Sequence, residues 1–145
     1  MMFKFKLQQV LDYRAQLEDQ AKMALGRAQN ELAIHQKHVD QLQGELAVQI
    51  SKGYNEGIRT VDERWMQDNY IRRLKDDLEK ARFRREEAEM LVHRCRSDLM
   101  RKSQDRQLLD KLRDKQREKF NHEEGQKEQY ALDEMAGIRY RADAV

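Results

Sequence analysis

The sequence predicts an all-α fold: a two-helix antiparallel coiled coil, a helical hairpin rod whose C-terminal helix is the longer and overhangs its partner. Three observations predict it. The 145-residue chain has no proline, so nothing forces a kink in a long helix. Two stretches carry apolar residues at gaps of three and four, an average near 3.5, which keeps one seam of a helix against a partner and winds the pair left-handed. Between them lies a short break rich in glycine and asparagine, which makes the two stretches antiparallel neighbours. Charged residues make up 39% of the chain and aromatics 7%, with a mean hydropathy of −1.08, so a globule with a deep core is excluded. A chain this polar is either disordered or an extended helix, and the sustained seam decides for the helix.

The opening run Phe3-Lys4-Phe5-Lys6-Leu7 alternates apolar and charged residues as a short strand would. No second strand candidate exists to pair with it, so it reads as the ragged start of a helix that becomes clear at Leu7. From there the apolar series is Leu7, Val10, Leu17, Ala21, Leu25, Ala28, Leu32, Val39, Leu42 and Leu46, with polar Arg14 and His35 in the same stripe. Gaps of four on both sides of Ala21 predict a locally straighter supercoil, and Ala21, Ala24 and Ala28 let a partner approach closely. The first helix is expected over about residues 5–51, roughly 70 Å at 1.5 Å per residue.

Ser51-Lys52-Gly53-Tyr54-Asn55-Glu56-Gly57 has no periodicity, so residues 52–60 read as the connection. Thr60 and Glu63 match a capping box, which starts the second helix at about 61. Its seam is Ile71, Leu74, Leu78, Ala81, Ala88, Val92, Cys95 and Leu99, interrupted only by Arg85. The helix is expected to reach about residue 139, with Gly125 and Gly137 as weak breakers.

Folding at this connection places residues opposite each other when their numbers total about 110. Leu46 then faces Trp65, Val39 faces Ile71 or Leu74, Leu32 faces Leu78, Leu25 faces Arg85 or Ala88, and Leu7 reaches Leu99 to Ser103. The seam of the second helix weakens at the same place, since Leu108, Leu109, Leu112, Phe120 and Tyr130 are sparse. An unpaired overhang is therefore expected from about residue 104, and a helix of that kind is marginal in water by itself.

Little in the sequence suggests a reaction. His35 and His38 stand at i, i+3 but lack a third ligand, His93 and His122 are isolated, and Cys95 sits on the seam as a small core residue. Gly53 and Gly57 are not followed by the Lys-Ser or Lys-Thr of a phosphate loop, and a two-helix rod has no concave pocket. No catalytic residue, metal or cofactor is expected, and the chain is read as not an enzyme. Lys and Arg number 29 against 27 Asp and Glu, a net +2 with the signs interleaved, unlike a typical nucleic-acid binder. No apolar run approaches the roughly 18 residues of a membrane span and no signal-peptide core is visible, so a soluble, cytoplasmic protein is expected.

Two stretches stand out as interaction surfaces. Arg101, Lys102, Arg106, Lys111, Arg113, Lys115, Arg117 and Lys119 outnumber Asp105, Asp110, Asp114 and Glu118 on the expected overhang. A solvated helix face explains such a run equally well. A nucleic-acid-binding hairpin using this 101–119 face is one alternative, and a structural coiled coil that oligomerises through Leu108 to Phe120 is another. Trp65, Tyr70 and Ile71 form the aromatic-rich stretch. Trp65 can cap the coiled coil against Leu46 and Ile50, whereas Tyr70 at the rim of the seam stays partly exposed and can anchor a partner.

The chain resembles the FliJ family of the bacterial flagellar type III export apparatus. Phe5-Lys6-Leu7-Gln8-Gln9-Val10-Leu11-Asp12-Tyr13-Arg14 is similar to the family's F-x-L-x-x-V-L-x-x-R opening. Gly57-Ile58, Arg64-Trp65 and Tyr70-Ile71-x-x-Leu74 resemble its segment after the turn. Lys127-Glu128-x-x-x-Leu132-Asp133-Glu134-Met135-Ala136-x-x-Arg139 resembles its C-terminal pattern. The resemblance implies a non-enzymatic cytoplasmic component at the flagellar base, associated with the membrane only through partners. It also implies an escort of export chaperones and a stalk in the central pore of the hexameric export ATPase, similar to the rotor γ subunit of rotary ATPases. A further contact is implied with the cytoplasmic part of the export-gate membrane protein. On that resemblance Tyr70, Leu74 and Ala81 are candidates for the gate contact, with Asp77 on the same face where a small apolar residue is expected. The eight basic residues of the 101–119 run, with Arg139, are candidates for the ATPase contact.

Overall fold

The computed structural model describes residues 2–55 and 60–143. Two helices account for nearly all of them, α1 over Gln8–Asn55 and α2 over Val61–Asp143, packed against each other as an all-α hairpin, with no strand among the described residues. The chain divides into two compact units, Asp19–Met100 and the pairing of Met1–Glu18 with Arg101–Val145.

In the Asp19–Met100 unit the seam has its centre at Val39, fully buried, packed with Leu78 and Ala81 and flanked by Leu42 and Leu46. Ala21, Ala28, Leu74, Ala88 and Val92 are buried on the same line, small residues among larger ones. Leu25, Leu32, His35, Ile71, Arg85, Cys95 and Leu99 are half-buried on it. Val39 therefore meets Leu78 and Ala81 instead of the expected Ile71 or Leu74.

The register has moved because α1 does not stop at residue 51. Ser51 to Asn55 remain helical, Gly53 included, although a helical glycine costs about 1 kcal/mol against alanine. At Gly53 the missing side chain leaves room for Gln67, whose Nε2 would lie 3.3 Å from an added Cβ and donates to the Gln49 carbonyl at 3.1 Å. One turn away the Tyr70 hydroxyl donates to Glu45. These two pairs have numbers totalling 116 and 115, against the expected 110. Trp65 consequently lies beyond the position opposite Leu46, and at 66% exposure it does not cap the coiled coil. The Thr60 hydroxyl accepts the Glu63 backbone N–H at 3.3 Å, and Asp62 and Glu63 place negative charge at the positive end of the α2 dipole. Glu56 to Arg59 of the expected connection lie outside the described residues.

In the unit formed by Met1–Glu18 and Arg101–Val145, residues 2–5 are neither helix nor strand. The Gln8 N–H bonds the Phe5 carbonyl at 3.1 Å, closing a turn through Lys6 and Leu7 that leads into α1. The opening alternation is real, but it is used without a sheet. Phe5 is buried and Phe3 half-buried, while Lys4 and Lys6 are exposed. Phe3 packs on Phe120 with ring centroids 5.6 Å apart and planes tilted by 49°, and the Arg117 guanidinium lies 6.0 Å from the centre of the Phe3 ring.

The expected ragged helix start is thus a strap lying on α2. Within this unit the seam enters through Leu11, Arg14 and buried Glu18, whereas Leu7 and Val10 are 40% and 41% exposed. Arg14 reaches Asp105 at 3.5 Å and Glu18 accepts from Arg106. Lys102, Arg106, Leu109, Arg113 and Phe120 are half-buried at helical spacing. The unpaired stretch expected from about residue 104 therefore begins only after Phe120, because charged residues continue the seam line that the apolar series abandons at Leu99. From Asn121 to Asp143 every described residue is exposed except half-buried Glu124 and Gly137.

Candidate interaction surfaces

The side chains that suggested chemistry in the sequence sit apart. Among the described residues no three His, Cys, Asp or Glu groups gather as metal ligands. His35 is half-buried on the seam and His38 exposed, and Cys95 is a half-buried free thiol. Recesses on the surface, such as the one lined by Asp76, Glu79, Lys80, Phe83 and Arg84, are walled by a single helix and open to water. What the described residues offer is surface for binding.

The first surface lies near the start of α2. Of the three expected gate-contact residues, Leu74 and Ala81 are 5% and 2% exposed, committed to the seam, and only Tyr70, at 40%, presents a face to solvent. The cause is geometric. Leu74 and Ala81 keep the three-four phase of the seam, and Tyr70 stands one position ahead of its Ile71. The Tyr70 hydroxyl is raised above its ordinary pKa, chiefly by donating to the Glu45 carboxylate, with desolvation and the charge of Glu45 acting in the same direction. Beside it stand Trp65 and Met66, both 66% exposed, and Trp65, Met66, Asn69, Tyr70 and Arg73 line one shallow recess. Sequence reading placed Trp65 as a cap because it used the shorter register. The signal that could have corrected it is the helix-compatible run Lys52-Gly53-Tyr54-Asn55, which contains no proline.

The second surface is the basic run, which separates into two sets. Arg106 lies between Glu18 and Asp110, and its pKa is raised, first by the bond to Glu18, against an opposing desolvation, with the charge of Glu18 and the bond and charge of Asp110 adding to the rise. Arg113 lies 3.4 Å from Asp110 and 3.7 Å from Asp114. With half-buried Lys102, these three expected ATPase-contact residues follow the seam line, and Arg117 is turned onto Phe3. Arg101, Lys111, Lys115, Lys119 and Arg139 are exposed. Sequence reading missed the partners, Phe3, Glu18 and Phe120, since two of them lie outside any apolar periodicity and the third is a carboxylate. It also passed over an exposed apolar group near the end of α2, where Leu132, Met135 and Ile138 recur at gaps of three, each more than half exposed.

No helix among the described residues is long and apolar enough to cross a membrane. No curated protein and no solved structure matches the chain. A family model does: the one described as Flagellar FliJ protein matches residues 3–144. The match takes in both units, the strap at Phe3 and Phe5, and the exposed end of α2. The chain belongs to the FliJ family, and with it to the proteins of flagellar export.

Proposed function

We propose that this flagellar export-related protein works as a non-catalytic stalk. The exposed end of α2 enters the central pore of the hexameric export ATPase, the surface around Tyr70 contacts the cytoplasmic part of the export gate, and export chaperones are escorted on the same molecule. The observation that carries the reading is the character of α2 after Phe120: more than twenty residues of helix, nearly all exposed and mixed in charge. A broad apolar face would bind one subunit of a ring and stay there, whereas Leu132, Met135 and Ile138 form only a short stripe among charged residues. Scattered charges make comparable contacts with each subunit in turn, since exposed ion pairs are individually weak. Lys111, Lys115 and Lys119, exposed just before this end, and Arg139 within it are the cations offered to the ring.

The nucleic-acid alternative is weaker, because Arg106 and Arg113 already face carboxylates and Arg117 packs on Phe3. The test is a pull-down from flagellated cells with the full chain as bait. The hexameric ATPase and the gate protein are expected to come down together, and recovery of neither would overturn the reading.

A further inference from the structure

We propose that residues 2–18 are held on residues 101–120 by an ionic clasp, which opens as a unit when ions compete for its charges while the apolar seam of Asp19–Met100 stays closed. Glu18 with Arg106 is the centre of the clasp, and Arg14 with Asp105 supports it.

Two independent observations mark this section off. The chain divides into compact units between Glu18 and Asp19 on α1 and between Met100 and Arg101 on α2. The character of the contacts changes at the same place. The buried residues of α2 are Leu74, Leu78, Ala81, Ala88 and Val92, all in the Asp19–Met100 unit, and none of residues 101–120 is buried. Across from them Leu11 and Glu18 are buried on α1, and Phe5 in the strap. Apolar burial therefore contributes less here than in the seam, and charge-assisted hydrogen bonds take a larger share.

Glu18 makes the contact an open-or-closed one. Its carboxylate lies in a residue only 6% exposed and accepts from Arg106, whose guanidinium also donates to Asp110. A buried carboxylate that loses its counter-ion is strongly destabilising, so loosening Arg106 drives Glu18 out into water. Arg106 is the accessible half of the pair: its side chain keeps 28% of its surface in solvent, where a competing anion reaches it. Arg14 and Asp105, 3.5 Å apart and each nearly half exposed, are open to screening by salt. Beyond them the strap rests Phe3 on Phe120 and Arg117. Opening therefore turns Arg106, Arg117 and the Phe120 ring outward together.

The test needs no partner. Amide exchange of the full chain is followed residue by residue from about 20 mM to about 500 mM sodium chloride, which shortens the screening length from roughly 20 Å to roughly 4 Å. Exchange at residues 12–18 and 102–113 is expected to quicken about tenfold, and at 28–46 and 74–92 by less than about twofold. Glu18→Gln should exchange at low salt as the parent does at high salt. Glu18→Leu combined with Arg106→Leu, an apolar pair in the same place, should restore protection and remove the salt dependence.

Equal quickening in both regions would make the hairpin one cooperative unit and overturn the clasp. No response at 12–18 would show that packing alone holds this end, and would overturn it as well. So would Glu18→Gln with the exchange of the parent at low salt. The salt series uses the unaltered chain, so it decides the question even if Glu18→Gln does not fold.

Discussion

Glu18 decides where the first seam runs. It is 6% exposed, accepts from Arg106, and occupies a position that a reading confined to apolar residues gives to Leu17. With Glu18 counted, Leu11, Arg14, Glu18, Ala21, Leu25, Ala28, Leu32, His35, Val39, Leu42, Leu46 and Gln49 follow gaps of three and four without a break, and the irregularity at Ala21 disappears. The coiled coil was legible in the sequence because most of its seam is apolar. Its phase near the N-terminus was not, because the partners there are ionic and a charged seam residue cannot be told from a solvated one until its counter-ion is placed.

The distinction between seam and surface predicts a contrast in stability. Leu78→Ala, at a buried position against Val39, should cost about 2–4 kcal/mol in urea unfolding, whereas Leu108→Ala, 66% exposed, should stay within about 0.5 kcal/mol. Tyr70 provides a pH test. Its folded pKa lies above the ordinary value of 10.0, so the bond to Glu45 is intact below about pH 10 and is lost as pH rises through the raised value. Tyr70 should ionise late by ultraviolet titration, and Glu45→Gln should return it to the ordinary range. A titration curve unchanged by that substitution would remove Glu45 as the cause.

Among the elements, the strap is the one that sequence reading assigned to the wrong class. Phe3-Lys4-Phe5 has the alternation of a strand and lacks a strand partner, and the structure satisfies both facts by laying the segment on a helix. Deleting residues 2–6 should raise amide exchange in α2 around 112–120, where Phe120 loses the Phe3 ring, and leave the amides of 71–92 protected. Equal exchange in the two proteins near Phe120 would show that the strap does not hold this part of α2. The helices themselves were legible in kind and number, and the error lay in where they end. Gly53 looked like a stop, yet the approach of Gln67 to Gln49 uses the space a glycine leaves, a tertiary contact that local propensity cannot report.

For the molecule as a whole, these corrections move the boundary between what holds the hairpin and what is left for partners. The seam uses Leu74 and Ala81, which therefore leave the proposed gate surface to Tyr70 and its exposed neighbours. It also uses Arg106 and Arg113, so a cut after Ser103 would remove the partners of Arg14, Glu18 and Phe3 and confuse loss of function with loss of structure. The informative cut falls after Asn121, which keeps Phe120 and removes only the exposed end of α2. The measurement is the hydrolysis rate of the purified hexameric export ATPase with the full chain and with residues 1–121, both checked for helicity and thermal melting. The stalk account predicts that the shortened protein keeps the melting transition of the hairpin and loses the stimulation given by the full chain. Stimulation of equal size by residues 1–121 would contradict it.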